Sequence, residues 1–302
     1  MKNLLTTVLL FSISKVCICQ RIHPADYLVN ATVKIETVDK VTNIAGRQVL
    51  YGGSGTGFFF NFRTSKGIIP AIVTNKHVIK EALRVSIAVS DADTNGLPIY
   101  GKMEKITLNR KDLYIIYHPD TTVDLAIILF NPILNFFSVK GKKLSYLPLD
   151  ESLIPSDSSI RELSAIEDLY MIGYPFGLKD EMNNSAITRR GITATPYALD
   201  YSNKKEFLAD IPVYPGSSGS PIVAYSNGFL SKTGGYHMSL RIFLLGINYA
   251  TYQQDFTGKI IPKATFNITD SVEVQTKIPY NIGIIIKSQR ILEFKPILEK
   301  IK

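Results

Sequence analysis

Three short segments of the chain contain residue types that could perform nucleophilic catalysis with a hydroxyl group. The first runs from Pro215 to Pro221, with Ser218 between Gly216 and Gly219. A serine nucleophile needs an exposed hydroxyl on a tight turn whose backbone N–H groups converge where an oxyanion forms. The two glycines permit such a turn, and Pro221 can begin a strand, where its missing N–H does little harm. An ordinary loop rich in glycine and serine is the alternative.

The other two segments place a histidine and an aspartate beside apolar runs. His77 follows the apolar run 68–74 and could act as a general base near neutral pH, although a lone histidine is more often structural. Asp124 directly precedes the apolar run 125–130. A carboxylate in such a position is costly unless it is paired or hydrogen-bonded, and an imidazole N–H is one such partner. Exposure of Asp124 to solvent is the alternative.

The order of these three residues along the chain is itself informative. They occur as His77, Asp124 and Ser218, which is the order of chymotrypsin-type triads. Other folds that use a serine triad have its members in different orders. The combination is therefore much more specific than any one of its segments.

The elements that must position these residues are predicted to be short β-strands. Runs of β-branched and aromatic residues are punctuated by Gly, Pro, Asn, Asp or Ser, which is typical of an all-β barrel or sandwich. Residues 131–166 have weaker periodicity and are predicted to connect two domains. Only the C-terminal stretch predicts a helix, capped by Ser288 and packed against the second domain. Its apolar positions repeat at a helical interval: Ile291, Leu292, Phe294, Ile297, Leu298 and Ile301.

The sequence resembles the bacterial trypsin-like serine peptidases, and around the histidine it is similar to the HtrA-type proteases. The resemblance runs from Gly53 to Ile286 and rests on the three segments above. It also rests on residues 54–58, which resemble the strand before the catalytic histidine. Residues 172–177 resemble the opening of the second barrel, and residues 245–247 resemble the strand that lines the substrate cleft.

This resemblance implies an all-β fold of two six-stranded antiparallel β-barrels with a C-terminal helix. The N-terminal barrel is expected at residues 20–150, and the C-terminal barrel with its helix at residues 151–302. The implied function is that of a serine endopeptidase, which hydrolyses peptide bonds through an acyl-enzyme. In this mechanism Ser218 is the nucleophile, His77 transfers the proton and Asp124 orients His77, while the N–H groups of Gly216 and Ser218 form the oxyanion hole.

Two positions depart from trypsin itself. Ser217 occupies the place where trypsin-type zymogens carry an aspartate that pairs with a freed N-terminus, so that this activation switch is not expected. Pro212 stands where trypsin has the acidic base of its specificity pocket. In glutamyl-specific relatives a histidine follows the Gly-Ile pair of the cleft strand, where this chain has Asn248 after Gly246 and its isoleucine. Pro212, Gly246 and Asn248 are the candidate substrate-binding residues, and they predict a neutral pocket.

The first nineteen residues have the features of a secretory signal peptide. Lys2 supplies a positive start, and residues 4–13 form an apolar run that is too short to span a bilayer. Cleavage after Cys19 would remove both cysteines, and with them any disulfide, thiol nucleophile or cysteine zinc ligand. The exact cleavage site is left open. We therefore expect a secreted or periplasmic protein without stable membrane insertion.

Other classes of partner are not indicated by the sequence. The formal net charge is +8, but the basic residues are scattered, and no basic helix or aromatic–basic interleaving suggests nucleic acid. No metal is expected, because no two histidines lie at ligand spacing, and no glycine motif suggests a nucleotide cofactor. His118 is interpreted as structural, His237 as exposed and His23 as mobile. The expected partner is a protein or peptide substrate, and the oligomeric state stays open.

Two alternative functions can be weighed against an endopeptidase. A catalytically silent trypsin-like module could bind a peptide or protein partner in the same cleft. Three triad residues and two oxyanion positions are, however, more than a binding role requires. An α/β-hydrolase esterase fits poorly, because Ser220 replaces the second glycine of its serine elbow. The alternating helices and the Ser, Asp, His order of that fold are also absent.

Overall fold

The structure is a computed structural model of the chain, and it describes residues 22–42, 46, 48–230, 234–259 and 273–301. The predicted signal peptide, residues 1–19, lies outside these described ranges. Within them, no helix has both the length and the apolar character needed to cross a bilayer.

The N-terminal part of the described chain forms one sheet of eight strands. These strands are β1 (Thr32–Thr42), β2 (Gln48–Thr64), β3 (Gly67–Thr74), β4 (Ala82–Ala92), β5 (Pro98–Asn109), β6 (Ile115–Tyr117), β7 (Ala126–Leu129) and β8 (Leu149–Asp150). The strand order is β5-β4-β1-β2-β3-β7-β6 with antiparallel neighbours, and the short β8 pairs in parallel with β2. The sheet therefore has more strands than the six expected from the sequence.

A short turn explains the difference in strand number. β5 and β6 lie at opposite ends of the sheet, yet they are consecutive in the chain and separated by a 3-10 turn at Arg110–Asp112. Each hydrogen-bonds to one neighbour only along the path of the sheet. If β5 and β6 are counted as one interrupted strand and the two-residue β8 is set aside, the strands number six. The two ends of the sheet are thus joined by the chain and not by a hydrogen-bonded ladder.

The C-terminal part of the described chain forms a closed antiparallel barrel of six strands. Around the barrel the order is β10-β11-β16-β15-β12-β9, and each neighbouring pair is antiparallel. The strands are β9 (Asp168–Gly173), β10 (Ile187–Thr193), β11 (Glu206–Asp210), β12 (Pro221–Ser226), β15 (Arg241–Lys259) and β16 (Glu273–Lys287). Two short strands, β13 (Phe229–Leu230) and β14 (Tyr236–His237), pair outside it. The expected all-β fold is confirmed.

The aromatic residues of β2 show how strand geometry divides the core. Successive side chains of a strand point to opposite faces. Phe59 therefore packs inside the first sheet, in one cluster with Ile72. Phe58, Phe60 and Phe62 point the other way, into a cluster that also holds residues of the second barrel. Since all four phenylalanines are fully buried, β2 is the layer between the two halves of the core.

Helices occupy little of the described chain. They are α1 (Pro24–Asn30), α2 (Lys76–Ile79), α3 (Asn131–Val139), α4 (Asp157–Glu162) and α5 (Lys295–Leu298). α3 and α4 lie within residues 131–166, where the sequence predicted a connector between domains.

The C-terminal helix differs from its prediction in form and in packing. Residues Ser288–Phe294 make a 3-10 helix without a side-chain cap, and only then does α5 begin. Pro296 lacks the N–H that a continuous α-helix from Ser288 would need at this point. The buried ring of Phe294 packs on Phe62 of β2, at 6.3 Å between centroids. The segment therefore covers the first sheet as well as contacting the second barrel, where the sequence predicted that it packs.

Candidate active site

His77 is positioned by the end of β3. This strand ends at Thr74, and Asn75 then begins the single turn of α2 in which His77 lies. The side chain of Asn75 donates from Nδ2 to the carbonyl oxygen of Asp124 at 2.7 Å. The N–H of Lys76 donates to the same carbonyl at 3.4 Å. The backbone around His77 is thereby tied to the backbone of Asp124.

The side chains of His77 and Asp124 also contact each other. Nδ1 of His77 hydrogen-bonds to Oδ2 of Asp124, and the backbone N–H of His77 donates to Oδ1 at 2.9 Å. Burial raises the pKa of Asp124, but the hydrogen bonds and charge of His77 outweigh burial and hold this pKa below its usual range. An ionised carboxylate only accepts, so the proton of the pair lies on Nδ1. The other ring nitrogen of His77 is left to accept a proton.

The loop Pro215–Ser220 presents one of its three serines to solvent. Ser217 and Ser220 are fully buried, whereas Ser218 is half-buried. Gly216 and Gly219 have φ of 88° and 87°, in the left-handed region that favours glycine. The turn that the sequence predicted is therefore present, and the accessible hydroxyl is that of Ser218.

Two backbone N–H groups of this loop have no hydrogen-bond acceptor among the described residues. Within the described residues, the N–H groups of Gly216 and Ser218 donate to no other group. The intervening N–H of Ser217 donates to the carbonyl of Tyr214 at 2.9 Å, and that of Gly219 donates to the carbonyl of Asn248 at 2.8 Å. The two unused donors are those that the resemblance assigned to the oxyanion hole.

Thr56 of β2 connects the serine loop to the end of β3, the strand that precedes His77. Its N–H donates to the carbonyl of Ser218 at 2.8 Å, and its hydroxyl donates to the carbonyl of Gly216 at 2.9 Å. Its own carbonyl accepts from the hydroxyl of Thr74 at 2.7 Å. Through Thr56, the backbone of Ser218 is therefore linked to Thr74, which lies three residues before His77 in the sequence. No hydrogen bond joins the hydroxyl of Ser218 to His77 in the part of the chain that the structure describes.

The candidate substrate-binding residues lie close behind the serine loop. Asn248 is 1% exposed, and its side chain donates from Nδ2 to the carbonyl of Ser217 at 3.3 Å. Gly246 lies against β16, where a Cβ would come within 2.3 Å of the carbonyl of Ile286. The carbonyl of Pro212 accepts a hydrogen bond from Arg189 at 2.8 Å. Asn248 and Pro212 are therefore bound to groups of the protein itself.

Thr56, Arg189 and Tyr249 were not singled out in the sequence. The only signal for Thr56 was its place in the stretch 54–58 that resembles the family. The hydroxyl of Tyr249 donates to Glu206 at 3.1 Å. Burial, with the charges of Glu206 and Asp124, raises the pKa of Tyr249. Tyr249 of β15 packs against the same apolar cluster as Val123 and Leu125, the two neighbours of Asp124 in the sequence.

A comparison with protein families identifies the chain. Residues 55–230, more than half of its length, match the family model described as the trypsin-like peptidase domain. The chain belongs to this family. As a trypsin-like peptidase it is a hydrolase, and its substrates are proteins or peptides.

Comparisons of this trypsin-like peptidase with individual proteins give less information than the family model does. No curated protein sequence matches the chain. Among solved structures, it is similar to the Rv3671c protease of M. tuberculosis in an inactive form and to an inactive alanine mutant of Rv3671c. In both cases the identity is 13%, the match covers 92% of each chain and the TM-score is 0.43. The family model alone therefore identifies the chain.

The other histidines of the trypsin-like peptidase lie away from this site. His118 is buried, its Nδ1 accepts from the N–H of Asp120 at 3.1 Å, and its Nε2 lies 3.1 Å from the carbonyl of Arg290. His237 is exposed and stacks on Phe229. His23 was expected to be mobile, but its ring caps α1 by accepting from the N–H of Ala25 at 3.2 Å.

Proposed function

We propose that this peptidase is a serine endopeptidase whose triad is His77, Asp124 and Ser218. One observation carries the proposal: Thr56 hydrogen-bonds both to Ser218 and to Thr74, which lies three residues before His77, and His77 is oriented by Asp124. The two unused N–H groups of Gly216 and Ser218 support it further, since acyl transfer needs donors aimed at the developing oxyanion.

The proposed reaction assigns one task to each group. Ser218 attacks the carbonyl carbon of the scissile bond, while Nε2 of His77 takes the hydroxyl proton. Asp124 accepts from Nδ1 and stabilises the imidazolium, and the oxyanion accepts from the N–H groups of Gly216 and Ser218. His77 then passes its proton to the leaving amine, and an acyl ester remains on Ser218. Water, activated by His77, hydrolyses this ester and restores the free serine.

The finer proposals concern the substrate pocket and the location of the enzyme. Pro212, Gly246 and Asn248 are proposed to form the base and the wall of the specificity pocket through their backbone. The apolar N-terminal run 4–13 supports secretion or transfer to the periplasm, with residues 1–19 removed.

Labelling with a fluorophosphonate tests the proposed triad. Wild type should be labelled on Ser218, and Ser218→Ala or His77→Ala should abolish labelling, because the first lacks the nucleophile and the second its base. Ser220→Ala is the matched control. Its buried hydroxyl has no hydrogen-bond partner within the described residues, so this variant should be labelled like wild type. A folded wild type that resists the probe would contradict the proposal.

Peptide products test the second half of the proposal. Mass spectrometry of a casein digest should reveal internal cleavages with wild type and none with Ser218→Ala. The residue before each cut would also test the neutral pocket predicted from the sequence.

One observation favours a catalytically silent binding module instead. In the described residues the hydroxyl of Ser218 does not hydrogen-bond to His77. In enzymes without substrate such bonds are often long and tighten only in the complex, so the endopeptidase remains the better-supported function. A wild type that binds peptides tightly, but neither reacts with the probe nor cleaves casein, would favour the module.

A further inference from the structure

Arg189 of β10 extends beneath the loop that precedes Ser218. Its Nη1 donates to the hydroxyl of Ser217 and to the carbonyl of Pro212, both at 2.8 Å. The same hydroxyl accepts from the N–H of Tyr214 at 3.2 Å. One guanidinium therefore binds both ends of the segment 212–217, immediately before the proposed nucleophile.

The environment of Arg189 is unusual for a residue with a packing role. Its Nε and Nη2 are buried and have no hydrogen-bond partner, and no carboxylate pairs with it in the described residues. Burial lowers its pKa to about 10, so the group is still charged at neutral pH. A buried charge without a counter-ion is destabilising, and such exceptions concentrate at functional sites. The adjacent Arg190, in contrast, is exposed and pairs with Asp168 at 2.9 Å.

The position of Ser217 indicates what Arg189 does there. Ser217 lies between Gly216 and Ser218, whose N–H groups are the unused donors of the loop. On the other side of the loop, the carbonyl of Pro215 accepts from the N–H of Phe176 at 2.6 Å. Neutral groups therefore bind the loop at Pro215 and, through the hydroxyl of Thr56, at Gly216. At Ser217 the loop is bound by the cation of Arg189.

We propose that Arg189 is a positioning residue that keeps the N–H groups of Gly216 and Ser218 directed toward the oxyanion. The proposal rests on the proposed serine endopeptidase. By its resemblance to the family, the chain has Ser217 where trypsin-type zymogens carry an aspartate that pairs with a freed N-terminus. In this chain a cation built into the second barrel binds that position, so a newly cut N-terminus is not needed to order the loop.

The test compares Arg189→Met, Arg189→Lys and Ser217→Ala with the matched control Arg190→Met. We expect Arg189→Met to lower both kcat and the rate of fluorophosphonate labelling by about 10²- to 10³-fold, the usual effect of losing one oxyanion donor. KM should change little, while affinity for a peptide boronic acid, which mimics the tetrahedral state, should fall in parallel with kcat. Arg189→Lys should restore part of the rate, and Arg190→Met should behave like wild type.

The outcomes separate this inference from the proposed function. If wild type is labelled and a folded Arg189→Met variant reacts at the wild-type rate, the role of Arg189 is wrong and the endopeptidase stands. If kcat and KM change without any loss of boronic acid affinity, the role is equally wrong. Should Arg189→Met not fold, Ser217→Ala decides, because it removes the link and leaves the cation. If wild type itself is not labelled, the proposed function and this inference fall together.

Discussion

At the scale of single residues, the close approach of the serine loop to β2 makes one glycine indispensable. Gly219 has φ of 87°, and a Cβ there would come within 1.9 Å of the carbonyl of Thr56. The backbone of Thr56 cannot move aside as the end of a flexible side chain could. The loop and β2 must therefore separate if Gly219 is replaced, and Ser218 would leave its position with them.

This argument predicts different outcomes for two glycines with the same φ. Gly234 also has φ of 87°, but nothing lies within 4 Å of its Cβ position. Gly234→Ala should cost about 1–2 kcal/mol, the strain of a left-handed residue, and keep peptidase activity. Gly219→Ala should lower the free energy of unfolding by more and lose at least about 100-fold in activity, since loop geometry is lost with it. Urea unfolding and peptide cleavage measure both effects. Equal behaviour of the two variants would contradict the steric explanation.

The site residues that could be predicted from the sequence have local sequence signals, whereas those that were missed do not. His77, Asp124 and Ser218 were predicted because residue type, flanking strand and chain order all leave local signs. Arg189 and Thr56 act through hydrogen bonds to residues 28 and 160 positions away. No local pattern encodes such a contact, because the barrel fold alone brings the partners together.

At the scale of elements, strands were easier to predict than their ends. Runs of β-branched and aromatic residues between turn residues indicate where strands exist, and they predicted an all-β fold. The 3-10 turn at Arg110–Asp112, which separates β5 from β6, leaves no comparable sign in the sequence. In the C-terminal segment, apolar spacing predicted one regular helix. The structure has a 3-10 helix followed by α5, because Pro296 lacks the N–H that one continuous α-helix would need.

The attachment of the C-terminal 3-10 helix to His118 should make stability depend on pH. His118 lies among Arg290, Glu293 and Asp120, and burial lowers its pKa from the usual 6.5. As pH falls below 6.5, His118 is protonated in the unfolded chain but stays neutral in the folded protein. The free energy of unfolding therefore decreases until the pH reaches the lower pKa that His118 has in the folded protein. Between pH 7.5 and 5.5, wild type should therefore lose more unfolding free energy than His118→Gln does. Equal losses in urea titrations at the two pH values would contradict this.

At the scale of the whole molecule, one aromatic contact joins the first sheet to the C-terminal segment. Phe294 is fully buried, where it packs on Phe62 of β2 and edge-on to His118. Replacing a buried phenylalanine by alanine typically removes transfer energy and leaves a cavity. The stability of the first sheet thus depends on a residue beyond the second barrel.

Phe294→Ala should accordingly lower the free energy of unfolding by about 3–5 kcal/mol. Phe136 of α3, which is 54% exposed, provides the matched control, and Phe136→Ala should cost less than about 1 kcal/mol. Urea unfolding followed by circular dichroism measures both. A small effect at Phe294 would mean that the first sheet does not need its C-terminal cover.

The same contact bears on how the molecule is made. Synthesis proceeds from the N-terminus, so Phe62 leaves the ribosome long before Phe294 exists to cover it. Until then the aromatic face of β2 lacks part of the packing that buries it in the finished protein. Peptidase activity is therefore expected only after the final segment has packed against the first sheet.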